Sequence, residues 1–184
     1  MLASTAGRDP SSPVDSATGR GAARDALAAV LRPADILLGL DVPTKNRAFQ
    51  QIAGFMASRH GVVESDVYRG LAEREKLGST GLGYGIAIPH ARIPGLANPV
   101  AAYVRTDLPI PFDAPDGRPV GDMLVLLVPE DATDAHLELL AEVADLFCDR
   151  SFRDHLRRSD DPPAVHAVLT GSRAASGRLE ACDG

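Results

Sequence analysis

Residues 123–128, MLVLLV, are apolar at every position, and Pro129 closes the run. Six such residues in a row do not alternate, so they do not suit a strand with one wet face. They suit a central strand covered on both sides. The rest of the chain must therefore supply neighbouring strands and two covering layers.

The periodicities supply both. Residues 35–40 and 100–105 read as strands, and 86–88 as a short strand ended by Pro89. Residues 109–112 read as an edge strand, where a proline is tolerated, followed by a turn at Pro115, Asp116 and Gly117. Pro43 and Thr44 open a helix in which Phe49, Ile52, Ala53, Met56 and Ala57 share one face, and Gly61 stops it. Ser65 caps a second helix with Val67 and Leu71 on one side. A third, capped by Thr133 or Asp131, spaces Leu137, Leu140, Ala141, Ala144, Phe147 and Cys148 helically. Short helices follow near 152–156 and 163–169. The expectation is an α/β fold, a single domain with a mixed β-sheet flanked by helices.

That domain is expected over residues 31–170. Residues 1–30 are rich in Ser, Ala, Gly, Pro and Asp and read as a disordered extension, with a short helix an alternative for 25–31. Residues 171–184 read as a flexible tail. A net charge of −6 gives no electrostatic footprint for nucleic acid or anionic lipid. No apolar run is long enough to span a bilayer, and the N-terminus lacks the apolar core of a secretory signal, so the expected location is cytoplasmic. Cys148 and Cys182 form neither a disulfide framework nor a metal cluster. They read as one buried thiol and one loose one.

His90 carries the strongest chemical signal. It follows a buried strand and a rigid proline, with a Gly-rich loop before them. A neutral imidazole presented there is a good nucleophile; a histidine bonded in a turn is the alternative. His136 lies in the first turn of its helix at the end of the apolar stripe. It either holds an anion or orients His90, or it is a partly buried histidine bonded to a carbonyl. Arg74 falls on the inward face with Val67 and Leu71, as a phosphate clamp or a structural cation. Glu73 and Glu75 fall on other sides. Ser79 and Thr80 lie between glycines, in a loop able to bind an anion. It is neither a P-loop nor a dinucleotide fingerprint. Arg92 is a further cation that steers an anion or faces solvent. His60, His155 and His166 read as structural or surface residues. No carboxylate cluster suggests a metal, and no metal or cofactor is expected.

Three segments taken together, REKLGSTGLG at 74–83, GIAIPH at 85–90, and LLVPE at 126–130 with His136 and Leu137 after it, resemble the enzyme IIA domains of the bacterial phosphoenolpyruvate-dependent phosphotransferase system. The nitrogen-regulatory branch of the fructose/mannitol superfamily is the most similar. The resemblance runs from about residue 31 to 169. It implies that His90 accepts a phosphoryl group from a histidine phosphocarrier protein. It also implies that His136 is the second active-site histidine, and that Arg74, Ser79 and Thr80 support the phosphoryl group. Ala91 stands where the family usually has glycine, a change expected to alter how closely a partner backbone approaches.

The implied function is a regulatory phosphoryl carrier that signals nitrogen or carbon status to target proteins, sensor kinases or ion transporters among them. A sugar-uptake IIA component that passes phosphate to a fructose- or mannitol-type transporter is the alternative. A binding module that carries no phosphate is a third reading, and a two-histidine metal hydrolase a distant fourth, lacking an evident third ligand.

Overall fold

In this computed structural model, residues 16–131 and 135–172 are described, with side chains for 21–131 and 139–172. Chain order is α1 (Ser16–Val30), a 3-10 turn (Pro33–Asp35), β1 (Ile36–Leu40), α2 (Lys45–His60), α3 (Glu64–Lys76), β2 (Gly81–Gly83), β3 (Ile86–Ala87), β4 (His90–Ile93), β5 (Val100–Ile110), β6 (Val120–Pro129), α4 (Ala135–Cys148), α5 (Arg150–Arg157) and α6 (Pro162–Thr170). The six strands form one mixed sheet in the order β1-β5-β6-β3-β2, with β4 also paired to β6.

The apolar run lies in β6 and is the centre of that sheet. One edge of β6 pairs antiparallel with β5; the other pairs parallel with β3 and then with β4. Val120 and residues 122–129 of β6 are buried. Alternation along the strand divides them between two cores. Met123, Val125 and Leu127 join the cluster under α2 and α3, which also holds Phe49, Ile52, Met56, Val67 and Leu71. Leu124, Leu126 and Val128 join the cluster under the other helices, with Leu27, Phe147, Leu156 and Leu169.

Several local expectations are met by identifiable bonds. The Thr44 hydroxyl accepts from the Arg47 N–H at 3.3 Å and caps α2, and Gly61 closes it at φ 68°, a left-handed conformation that glycine adopts without penalty. Other expectations need correcting. Helix α1 begins at Ser16, inside the extension read as disordered; Ala23 and Leu27, four residues apart, are 0% exposed on its inner face. Few large apolar residues accompany them, with Ala, Gly, Ser, Thr, Arg and Asp at most other positions, so the sequence hides a helix that tertiary packing stabilises. Helix α3 starts one residue before Ser65, with Val63 at the N-cap and no side-chain cap. The expected edge strand at 109–112 is the end of β5, where the ladder is irregular between Arg105 and Ile110, which is how Pro109 is accommodated. Cys148 is exposed, not buried, because α4 turns Val143, Leu146 and Phe147 inward instead. Thr133, one of the two alternative caps of α4, and the tail thiol Cys182 lie outside the described residues, as do residues 1–15 and 173–184.

Candidate functional site

Pro89 has no N–H, so the strand that begins as β3 cannot continue its ladder through it. The chain breaks at Ile88 and Pro89 and resumes as β4 at His90. The Pro89 carbonyl still accepts the Leu126 N–H at 2.9 Å, so the break is pinned to β6. His90 is thus the first residue of a strand, in register with Leu126.

Two bonds fix the imidazole. Nδ1 lies 2.9 Å from the Ile88 carbonyl, and Arg74 Nε lies 2.9 Å from Nε2. A carbonyl only accepts and a guanidinium only donates. Nδ1 therefore carries the proton and Nε2 presents its lone pair. That is the neutral ring, and the electrostatics agree. Burial lowers the His90 pKa below the ordinary imidazole value; the bond to Ile88 opposes this, Arg74 adds to the lowering, and the Glu75 carboxylate opposes it.

Arg74 stands in the last turn of α3, on the face of Val67 and Leu71. Its Nη1 also donates to the Gly78 carbonyl at 3.0 Å, so one guanidinium spans the ring and the Gly-rich loop. The packing of α3 on β4 brings them together. At Gly70 a Cβ would lie 2.9 Å from the Ala91 methyl, so only glycine permits this approach. Ala91 is buried, at 6% exposure, against α3. Its methyl does not face a docking partner, which corrects the expectation attached to that position.

The other site residues are placed differently. Ser79 Oγ donates to the Phe112 carbonyl at 2.8 Å and accepts the Gly81 N–H at 3.2 Å. Thr80, 7% exposed, gives its N–H and hydroxyl to Glu75 Oε2 at 2.9 and 2.6 Å. Both hydroxyls thus hold the loop in shape. Arg92, two residues along β4 from His90 and so on its face of the strand, is exposed and donates to the Glu130 carbonyl at 3.0 Å. His136 falls in the first turn of α4, and its side chain lies outside those described. Two neighbours carry no signal in the sequence. Helical spacing places Glu75 on another side of α3, yet at the helix end its carboxylate reaches into the loop. Lys45, 30 residues earlier, pairs with it at 2.9 Å, and no local pattern links the two. Among the described residues no group of three or more His, Cys, Asp or Glu could hold a metal ion, and no helix is long and apolar enough to cross a membrane.

Comparison with known proteins gives concordant findings. The family model described as phosphoenolpyruvate-dependent sugar phosphotransferase system, EIIA 2, matches residues 29–172. A nitrogen regulatory protein of Pseudomonas aeruginosa is 40% identical over 141 residues, 76% of this chain and 92% of that protein. The crystal structure of nitrogen regulatory protein IIA-Ntr from Neisseria meningitidis superposes with a TM-score of 0.75 at 41% identity, covering 79% of this chain and 99% of that one. The crystal structure of IIA mannitol from Escherichia coli shares the fold, with a TM-score of 0.63 at 18% identity over 75% of this chain and 97% of that one. The chain belongs to the EIIA 2 family of the phosphoenolpyruvate-dependent sugar phosphotransferase system, on its nitrogen-regulatory branch.

Proposed function

We propose that the chain is a regulatory phosphoryl carrier whose acceptor atom is His90 Nε2. The observation that carries this reading is the pair of bonds on the ring: a carbonyl at Nδ1 and a guanidinium at Nε2, both at 2.9 Å. The donor is a histidine phosphocarrier protein bearing a phosphoryl group on its own imidazole. The Nε2 lone pair attacks phosphorus, the new N–P bond forms, and the donor's N–P bond breaks with its electrons returning to the donor ring. Nδ1 keeps its proton on the Ile88 carbonyl, so none has to leave His90 first.

The transition state of such a transfer is loose, and the protein's part is positioning and charge stabilisation. Arg74 donates to Nε2 only while the lone pair is free. Once that lone pair binds phosphorus, the guanidinium is placed to donate to a phosphoryl oxygen. Arg92 adds a cation on the same face of the strand, and His136 is the second histidine of the site. Ser79 and Thr80 act through the shape of the loop. The phosphorylated state adds negative charge to the surface that target proteins read. The nitrogen regulatory proteins to which the chain is similar support a signalling role over sugar uptake.

The test is incubation with phosphoenolpyruvate, the general phosphotransferase enzyme and a phosphocarrier. The expected product is an acid-labile, base-stable phosphohistidine whose phosphorus resonance is that of the Nε2 isomer. It should be absent in His90→Ala. Full labelling of that variant would refute the assignment, and an Nδ1 product would refute the geometry argued for the ring. Passage of the label to a fructose- or mannitol-type transporter component would favour the sugar-uptake reading.

A further inference from the structure

Lys45, in the first turn of α2, reaches the back of the loop that carries Ser79 and Thr80. Its Nζ lies 2.9 Å from Glu75 Oε1, 2.9 Å from Asp113 Oδ2 and 3.2 Å from the Phe112 carbonyl. It also sits 4.9 Å from the centre of the Phe112 ring. The other oxygen of Glu75 holds the Thr80 N–H and hydroxyl, and the Ser79 hydroxyl uses the same Phe112 carbonyl as Lys45. One ammonium therefore joins the start of α2, the end of α3, the turn after β5 and the Gly-rich loop.

The arrangement answers an electrostatic difficulty. The Glu75 side chain is 6% exposed and adjoins Arg74, close enough to His90 to favour its charged form. An uncompensated buried carboxylate there would hold a proton on the nucleophile and repel the phosphoryl group it is to accept. Burial alone would lower the Lys45 pKa. Its bonds to Asp113 and Glu75 outweigh that and hold it above the ordinary lysine value, so the ammonium stays charged.

We infer that Lys45 is a positioning residue for phosphoryl transfer at His90, cancelling the charge of Glu75 so that this carboxylate can hold the Thr80 loop beside the imidazole without opposing the reaction. The inference rests on His90 being the acceptor. The groups that act on the ring are Ile88, Arg74 and Glu75, with Arg92 next but one on its strand; Lys45 acts through Glu75.

The experiment compares Lys45→Met, Lys45→Arg and Lys45→Met/Glu75→Gln in the full chain. In Lys45→Met the His90 titration midpoint, read by nitrogen NMR, should rise. The phosphohistidine half-life should shorten by roughly three- to tenfold, within the range of coupling found for members of one hydrogen-bond and ion-pair network. The kcat of transfer should fall with little change in KM for the phosphocarrier. Lys45→Arg should restore most of each quantity, and the double variant should restore the midpoint because the charge to be cancelled is gone. Should Lys45→Met not fold, Glu75→Gln alone reads the same charge and should lower the midpoint. An unchanged midpoint and half-life in Lys45→Met, or a double variant as impaired as the single one, would overturn the inference. The titration requires no phosphoryl transfer, so a chain never phosphorylated on His90 would fail the carrier reading while still reporting on this network.

Discussion

His90 is a half-buried imidazole with an acceptor at one nitrogen and a cation at the other, and this sets its response to pH. The folded pKa is lowered, chiefly by burial, so the neutral ring persists to a pH below the ordinary imidazole value of 6.5. The initial rate of labelling by a pre-phosphorylated donor should be flat through neutrality and fall only on the acid side of 6.5, after correction for the donor's own titration. A midpoint at or above 6.5 would show that burial does not dominate the surroundings of the ring. His60 is lowered as well, first by burial and then by Arg32 and Arg59 against the opposing Asp35. A depressed histidine pKa contributes stability above the unfolded value that is lost as pH falls through the folded one. Both rings therefore weaken the fold on acidification. At this scale His90 and Arg74 were legible because position after a strand and position on a helix face are local properties. The roles of Ser79 and Thr80 were legible only as a loop. Whether a hydroxyl is free depends on Phe112 and Glu75, and Phe112 lies 33 residues from Ser79 in the chain.

The elements that build the site meet where α3 crosses β4, and that crossing depends on the absence of a side chain at Gly70. In a helix interior, glycine to alanine is ordinarily favourable by about 1 kcal/mol. Here the new methyl would stand 2.9 Å from that of Ala91, and both methyls are fixed to backbone with no rotamer to relieve them. The clash should win. Gly70→Ala is expected to lose about 1–3 kcal/mol of stability by denaturant titration, and Ala91→Gly in the same chain to recover most of it. Additive effects of the two substitutions would show that the contact does not set the helix position. Strand β4 itself escaped the sequence reading, although His90, Ala91, Arg92 and Ile93 alternate in burial as a strand should. Four residues after a proline resemble a turn, and only the pairing with residues 126–129 makes them a strand. The long apolar run was easier to read, since a strand covered on both faces has no other place than the centre of a sheet.

Over the whole molecule, the helical layer opposite α2 and α3 is completed from the N-terminal side of the chain. Most of α1 precedes residue 29, where the family match begins, yet it packs on α4 and α6. Its end is fastened by the His166 ring, whose Nε2 lies 3.0 Å from the Leu31 carbonyl, and the Arg24 guanidinium lies 5.8 Å from the centre of the Phe152 ring. Composition concealed this because residues 16–30 offer few large side chains, and a helix that depends on Ala23 and Leu27 for its contact looks like a linker until the surface it covers is known. If α1 belongs to the cooperative unit, Leu27→Ala should leave a cavity in the core shared with Phe147 and Leu169. It should cost about 2–4 kcal/mol in chemical denaturation. Labelling of His90 should be retained at temperatures where the variant is folded, because Leu27 makes none of the contacts that orient the ring. A loss below about 0.5 kcal/mol, the size expected of an ordinary surface substitution, would mean that α1 can leave without unfolding the rest. The sheet and α2–α6 would then be the whole folding unit, and α1 would be an attachment to it.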